Sequence, residues 1–182
     1  MMRRTMTVER IVDAAEGLVA ARGLDGLRMA DLAAALRVKP PSLYKHVPDL
    51  FAVKVLLAQR GWSGLADVFA ELGRAGSTPR QLARRWWRFA LDHPAAFAAA
   101  EAPEMQGSAA VAAGRARAEA RAERVFEHAG LTGADAEHAW RTLRALVLGM
   151  SHIRRNDEAS TVPTEDSFSR ALGALFRGWP RA

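Results

Sequence analysis

Apolar residues recur at spacings of three and four along nearly the whole chain, and no Val/Ile/Thr-rich alternating segment interrupts them. That periodicity lines one face of a helix and cannot line one face of a strand, so it predicts an all-α fold. Thr7 is placed to cap a first helix whose face carries Val8, Ile11, Ala14, Ala15, Leu18 and Val19, and Gly23 is placed to stop it. A short helix is predicted over residues 30–36 with Leu32, Ala33 and Leu36 inward, and Pro40-Pro41 suits the first turn of a third, over residues 40–46, closed by Pro48. Asp49 can cap a long helix reaching about Leu72, weakened by Gly61 and Gly64 in its middle.

Further along, Thr78-Pro79-Arg80-Gln81 is a capping box with proline at the first helical position, opening a helix with Leu82, Trp86, Trp87, Phe89 and Leu91. A brief alanine-rich helix over residues 95–101 follows, then a solvated one over 108–128 with a thin apolar face, ended by Gly130. Thr132 and Asp135 start a helix whose stripe runs from Ala136 through Leu143, Leu146, Val147 and Met150 to Ile153. A polar linker over residues 156–163 leads to a last helix with Phe168, Leu172, Leu175, Phe176 and Trp179, for nine helices and no internal repeat.

The 182 residues suffice for one domain or two small ones. With 49% hydrophobic residues the chain is not of disordered composition, and no apolar run approaches the roughly 20 residues of a membrane span. Met1-Met2-Arg3-Arg4-Thr5 lacks the apolar stretch of a secretory signal, and a chain without cysteine has no disulfides, thiolate nucleophile or cysteine zinc site, so a reducing cytoplasm is expected. No nucleophile elbow, His-Glu-x-x-His or phosphate loop occurs, and Glu101/Glu104 and Asp157/Glu158 are unspecific pairs. No catalysis, metal or cofactor is expected.

Charge is what singles out the front of the chain. The net charge is +6, with ten Lys/Arg against six Asp/Glu over residues 1–60 and sixteen against fourteen over the rest; all three lysines, Lys39, Lys45 and Lys54, lie in the first part. From Leu32 to Pro48 there is no acidic residue, while Arg37, Lys39, Lys45 and His46 contribute cations or donors. Two short helices joined by a tight turn behind a supporting helix are the layout of a helix-turn-helix, and an acid-free basic stretch suits a surface that approaches phosphates. Leu43 and Val47 read as core. Arg3 and Arg4 could extend as an arm toward DNA.

The run from Gly23 to Ala33, then Leu36-Arg37-Val38, then Pro41-Ser42-Leu43-Tyr44-Lys45-His46-Val47 resembles the N-terminal DNA-binding domain of the tetracycline-repressor (TetR/AcrR) regulators, over residues 8–58. Trp86-Trp87-Arg88-Phe89-Ala90-Leu91-Asp92-His93-Pro94 and Leu148-Gly149 resemble a ligand-binding class of that family, where a His-Gly pair often stands at the latter position. The resemblance implies that Ser42, Tyr44 and His46 contact phosphates, that Pro41 and Lys45 lie against base edges or adjacent backbone, and that Lys39 sits at the start of the recognition helix. Three positions depart from the family: Met29 stands at the usual Thr/Ser cap, Arg37 at the usual turn glycine, and Leu50 at a common phosphate-binding lysine, for which Arg37 and Lys54 could partly compensate.

The same resemblance implies a DNA-binding domain over 1–48, a ligand-binding and dimerisation domain over 49–182, and a small, largely apolar effector walled by Trp62, Phe69, Trp87, Phe97, Met105, Trp140 and Val147. Bundle cores use such side chains too, so a cavity does not follow from them alone. The last two helices carry more apolar surface than a small bundle needs, so a homodimer through a four-helix interface is expected, with Leu143, Leu146, Met150, Phe168, Leu172 and Leu175 as members. The implied function is a repressor of a pseudo-palindromic operator released by its effector, with Gly61 and Gly64 as a place for the connecting helix to bend. A helix-turn-helix protein acting through a protein partner, without a metabolite, stays open beside it.

Overall fold

The computed structural model describes residues 5–156 and 164–177. The Arg3-Arg4 arm, residues 157–163 of the expected linker and Trp179 lie outside them. Among the described residues there are nine α-helices and no strand: α1 (Val8–Arg22), α2 (Met29–Ala35), α3 (Pro40–Leu43), α4 (Leu50–Arg74), α5 (Pro79–Asp92), α6 (Pro94–Glu101), α7 (Ala109–His128), α8 (Gly133–Asn156) and α9 (Thr164–Arg177), with a single 3-10 turn at Pro103–Met105. None of these helices is long and apolar enough to cross a membrane.

The helix starts follow local chemistry. Thr7 accepts from the Arg10 amide at 3.3 Å, and the Asp49 carboxylate accepts from the Ala52 amide at 2.7 Å. The capping box is reciprocal: the Gln81 amide donates to Thr78 Oγ1 at 3.3 Å, and the Thr78 amide to Gln81 Oε1 at 2.8 Å. Pro79 follows at the first helical position, where it forfeits no bond.

The ends of α4 and α7 share one device. After α7, Leu131 N–H returns to the Phe126 carbonyl and Gly130 N–H to that of Glu127, both at 2.9 Å, with Gly130 at φ 75°. After α4, Ser77 and Gly76 repeat the pattern on Leu72 and Gly73, with Gly76 at φ 61°. This double return satisfies carbonyls that would otherwise lack donors, and it needs a left-handed residue that glycine adopts without cost.

The chain forms two compact units, Met1–Ser63 with His93–Arg115, and Gly64–Asp92 with Ala116–Ala182. In the first, α1 packs on α2 and α6, and α2 on α3, over a core that includes Ile11, Val19, Leu32, Leu43, Val47, Leu57 and Trp62. Arg60 reaches Asp13 and Glu16 of α1 at 2.8 Å each. Burial works against the Arg60 charge, but its hydrogen bonds to Glu16 and Asp13 hold the guanidinium above its usual pKa. In the second unit, α5 packs on α8 and α9, and α8 on α9. Its centre is aromatic: Trp86 stacks on Trp140 at 4.6 Å and meets Phe69 edge-on at 5.3 Å, while Trp87 stacks on Phe168 at 4.7 Å.

Gly61 and Gly64 do not interrupt α4, and both stand where the helix is closely packed. A Cβ on Gly61 would stand 2.4 Å from the Ala96 carbonyl oxygen and 3.0 Å from Ala100 Cβ; one on Gly64 would meet the Phe89 ring at 2.7 Å. The first obstacle is backbone and cannot swing aside. Gly61→Ala is therefore expected to destabilise the chain by about 1–3 kcal/mol through overpacking, despite alanine's better helix propensity, in urea unfolding. An unchanged midpoint would mean that α6 has freedom to retreat from α4.

Candidate nucleic-acid interface

Lys39, in extended conformation at φ −78°, ψ 143°, leads into α3, and Pro40 and Pro41 occupy its first turn. The helix is shorter than the predicted 40–46: only Pro40–Leu43 is α-helical, and residues 44–46 are a turn. His46 N–H bonds to the Leu43 carbonyl at 2.9 Å, a three-residue bond, and Val47 N–H to the same oxygen at 3.0 Å, a four-residue one, so one carbonyl serves both amides as the chain leaves the helix. Leu43 and Val47 are fully buried and act as the two anchors of this segment. Pinned between them, Tyr44, Lys45 and His46 all face solvent, as do Lys39 and Pro41; Ser42 is half-buried.

Tyr44 is 52% exposed, unusually open for a large ring, and Phe51, at the start of α4, is 50% exposed. The sequence motif singles out Tyr44 but not Phe51, which looks like one more apolar residue at helical spacing. The acid-free stretch also stays acid-free in space in one respect: both carboxylates that bound it in sequence are engaged. Asp31 pairs with Arg22 at 3.3 Å, and Asp49 is the cap of α4. Lys54 does not compensate for Leu50, because its side chain is 16% exposed and its ammonium lies 3.6 Å from Glu104.

The turn between α2 and α3 explains how Arg37 replaces a glycine. Val38 N–H returns to the Ala33 carbonyl at 2.9 Å and Arg37 N–H to that of Ala34 at 3.1 Å, which is the double return seen after α4 and α7. Here the left-handed position is Arg37, at φ 55°, the one described non-glycine residue with positive φ. At the other end of α2 the capping residue is Arg28, one position before the expected Met29, which is the first helical residue; the Arg28 guanidinium donates back to the Asp25 and Leu27 carbonyls and caps no amide of the helix.

The expected effector walls divide between the units. Trp62, Phe97 and Met105 are buried in the first, where Trp62 Nε1–H donates to the Ala100 carbonyl at 3.0 Å. Phe69, Trp87, Trp140 and Val147 are buried in the second. Phe69 and Trp140 meet edge-on at 6.1 Å, bridged by Trp86, which the sequence does not mark as a wall although it shares the stripe of Leu82 and Phe89. The indole N–H groups of Trp86 and Trp87 and the Ser151 hydroxyl are buried without a hydrogen-bond partner. Of the six residues expected at a dimer interface, Leu143, Phe168 and Leu172 are buried in their own unit, whereas Leu146, Met150 and Leu175 are half-buried.

The sequence matches two family profiles: "Bacterial regulatory proteins, tetR family" over residues 11–48 and "Tetracyclin repressor-like, C-terminal domain" over residues 80–175. The chain belongs to the tetracycline-repressor family. Members of this TetR family are DNA-binding transcription regulators and not enzymes. Among curated relatives, the chain is 35% identical over 98 residues to the uncharacterized HTH-type transcriptional regulator YobS of Bacillus subtilis, and 33% identical over 88 residues to the HTH-type transcriptional repressor DrrR1 of Streptomyces coeruleorubidus. These matches take in 52% and 48% of the chain, and 51% and 28% of the two relatives. In fold, the chain is similar to a protein with unknown function from Rhodococcus sp. RHA1, with TM-score 0.76, 21% identity and 97% of each chain covered. It is also similar to the TetR family regulator PfmR of Thermus thermophilus, with TM-score 0.64, 20% identity, and 94% and 100% covered.

For this TetR-family head, Arg37→Gly is expected to raise stability by about 1 kcal/mol in urea unfolding, by relieving the left-handed strain without touching the core. A fall in stability would mean that the Arg37 side chain contributes more than its backbone conformation costs.

Proposed function

We propose that the chain is a dimeric transcriptional repressor that reads a pseudo-palindromic operator and is released from it by a small, largely apolar effector. The observation that carries this reading is the solvent-facing Tyr44-Lys45-His46 turn, fixed by buried Leu43 and Val47 within a stretch free of acidic residues. A tyrosine hydroxyl, an ammonium and an imidazole held outward on a rigid support suit phosphate and base-edge contact. Lys39, Pro41 and Ser42 belong to the same surface, and residues 1–48 form the DNA-reading part. The repressor sense is supported by the name of the relative DrrR1.

Residues 49–182 take the effector and the second protomer. The aromatic interior of the second unit favours an apolar effector, and the unpartnered indole N–H groups of Trp86 and Trp87 favour one that carries hydrogen-bond acceptors. Leu146, Met150 and Ile153 follow one another by four and three residues along α8 and stay partly or largely open, as does Leu175 on α9. Such an uncovered stripe suits an isologous contact with a second copy, which would set two recognition turns about one DNA turn, roughly 34 Å, apart. Operators lie in the cytoplasm, where the protein would act.

A mobility shift on the DNA upstream of its own gene, against scrambled DNA at two salt concentrations, tests the reading. Specific retardation by two protomers per duplex is expected, and Tyr44→Ala with Lys45→Ala is expected to weaken it at least tenfold. The log-log salt slope should fall by about 0.9 for the lysine. Equal retardation of both DNAs, or an unaffected double variant, would overturn the DNA-reading assignment. Titration with apolar carbonyl compounds is expected to change tryptophan emission and to weaken operator binding by the reciprocal factor. A specific DNA complex that no compound affects would favour control through a protein partner instead.

A further inference from the structure

The second unit holds a feature that neither DNA reading nor an apolar effector uses. A cleft of about 680 Å³ lies between the last turns of α4 and α7 from Arg117 onward, the volume of a site for a nucleotide-sized molecule. Arg74 enters it from α4, and Arg117, Arg121 and Arg124 from α7. The α7 arginines are spaced four and three apart, so they share one helix face. Glu127 is the single carboxylate on the lining, and Ala70, Gly73 and Ala120 give it a small-residue wall. The two helices run close here, since a Cβ added to Gly73 would lie 3.6 Å from Arg124 Cβ.

The cations are concentrated without matching anions. Elsewhere, Arg22, Arg60, Arg85, Arg141 and Arg154 each pair with a carboxylate. None of the four cleft arginines makes an ion pair with a described residue. Four guanidinium groups around one concavity repel one another, and one carboxylate leaves an excess of three positive charges. A multivalent anion removes that repulsion, and the planar fork of arginine bonds phosphate oxygens in pairs. A monocarboxylate would leave two of the three excess charges uncompensated.

We propose that the Arg74–Arg117–Arg121–Arg124 cleft is a binding site for a small phosphate ester of nucleotide size, separate from the DNA-reading turn and from the aromatic interior. The phosphates meet the arginines, and the organic part lies along the small-residue wall of Ala70, Gly73 and Ala120. This assignment does not depend on what the effector is.

The test is calorimetric titration of the full chain with inorganic pyrophosphate, adenosine triphosphate and octanoate, at low and moderate salt. Wild type is expected to bind both phosphates, the nucleotide more tightly if the organic part is recognised, and not octanoate. Arg121→Gln with Arg124→Gln is expected to weaken phosphate binding at least tenfold, while Arg141→Gln, on the exposed face of α8, leaves it unchanged. The phosphates should also raise the unfolding temperature of wild type and Arg141→Gln but not of the double variant, whose own cooperative unfolding shows that it is folded. No binding of either phosphate, binding unaffected in the double variant, or an equal loss in Arg141→Gln overturns the proposal. So does a loss confined to duplex DNA affinity, which would assign the cleft to the DNA backbone.

Discussion

The first unit depends on the direct contact of two backbones at Gly61. Because that residue has no side chain, the Ala96 carbonyl of α6 settles onto α4, and the residues on either side secure what the gap allows. Arg60 binds Asp13 and Glu16 of α1, and Trp62 gives its indole N–H to Ala100, one of the last four carbonyls of α6, which have no partner within their own helix. Three consecutive residues thus hold α4 against two other helices by an ion-pair network, an absent side chain and a buried hydrogen bond. The buried faces of Ile11, Val19 and Leu57 add the apolar area that makes the arrangement cohesive. The exposed recognition turn has orientation only because Leu43 and Val47 sink into this same core.

Features legible in the sequence are those whose causes lie within a few residues. Thr7, Asp49 and the Thr78–Gln81 pair act on amides three positions away, so the chain itself displays both donor and acceptor. The helix stripes are legible for the same reason, and so is the head, where the motif fixes residue types at short spacing. Leu32, Leu43 and Val47 are buried as their positions in that motif require. The surface of the head is legible as chemistry in its lack of carboxylates.

What the sequence concealed depends on partners far along the chain. Gly61 reads as a weak point in a helix until Ala96 is seen above it, and Lys54 reads as a free cation until Glu104 is found beside it. The sequence overstates the length of α3 because Tyr44-Lys45-His46 contains nothing that breaks a helix, yet the chain leaves it there in a turn whose last amides share the Leu43 carbonyl. Arg37 is a different case. Its left-handed conformation is imposed by the returning bonds of the turn, and the residue bears the strain where Gly76 and Gly130 bear none.

The stacked indoles of Trp86 and Trp140 give the second unit an optical property of its own. Two identical chromophores 4.6 Å apart, with planes inclined by 25°, couple their electronic transitions, and a coupled pair in a chiral setting produces a circular-dichroism couplet that neither ring gives alone. Its intensity falls steeply with separation and changes sign with the handedness of the pair. The interior therefore carries a native spectroscopic ruler between α5 and α8, readable without any label, that responds to displacements too small to alter helix content.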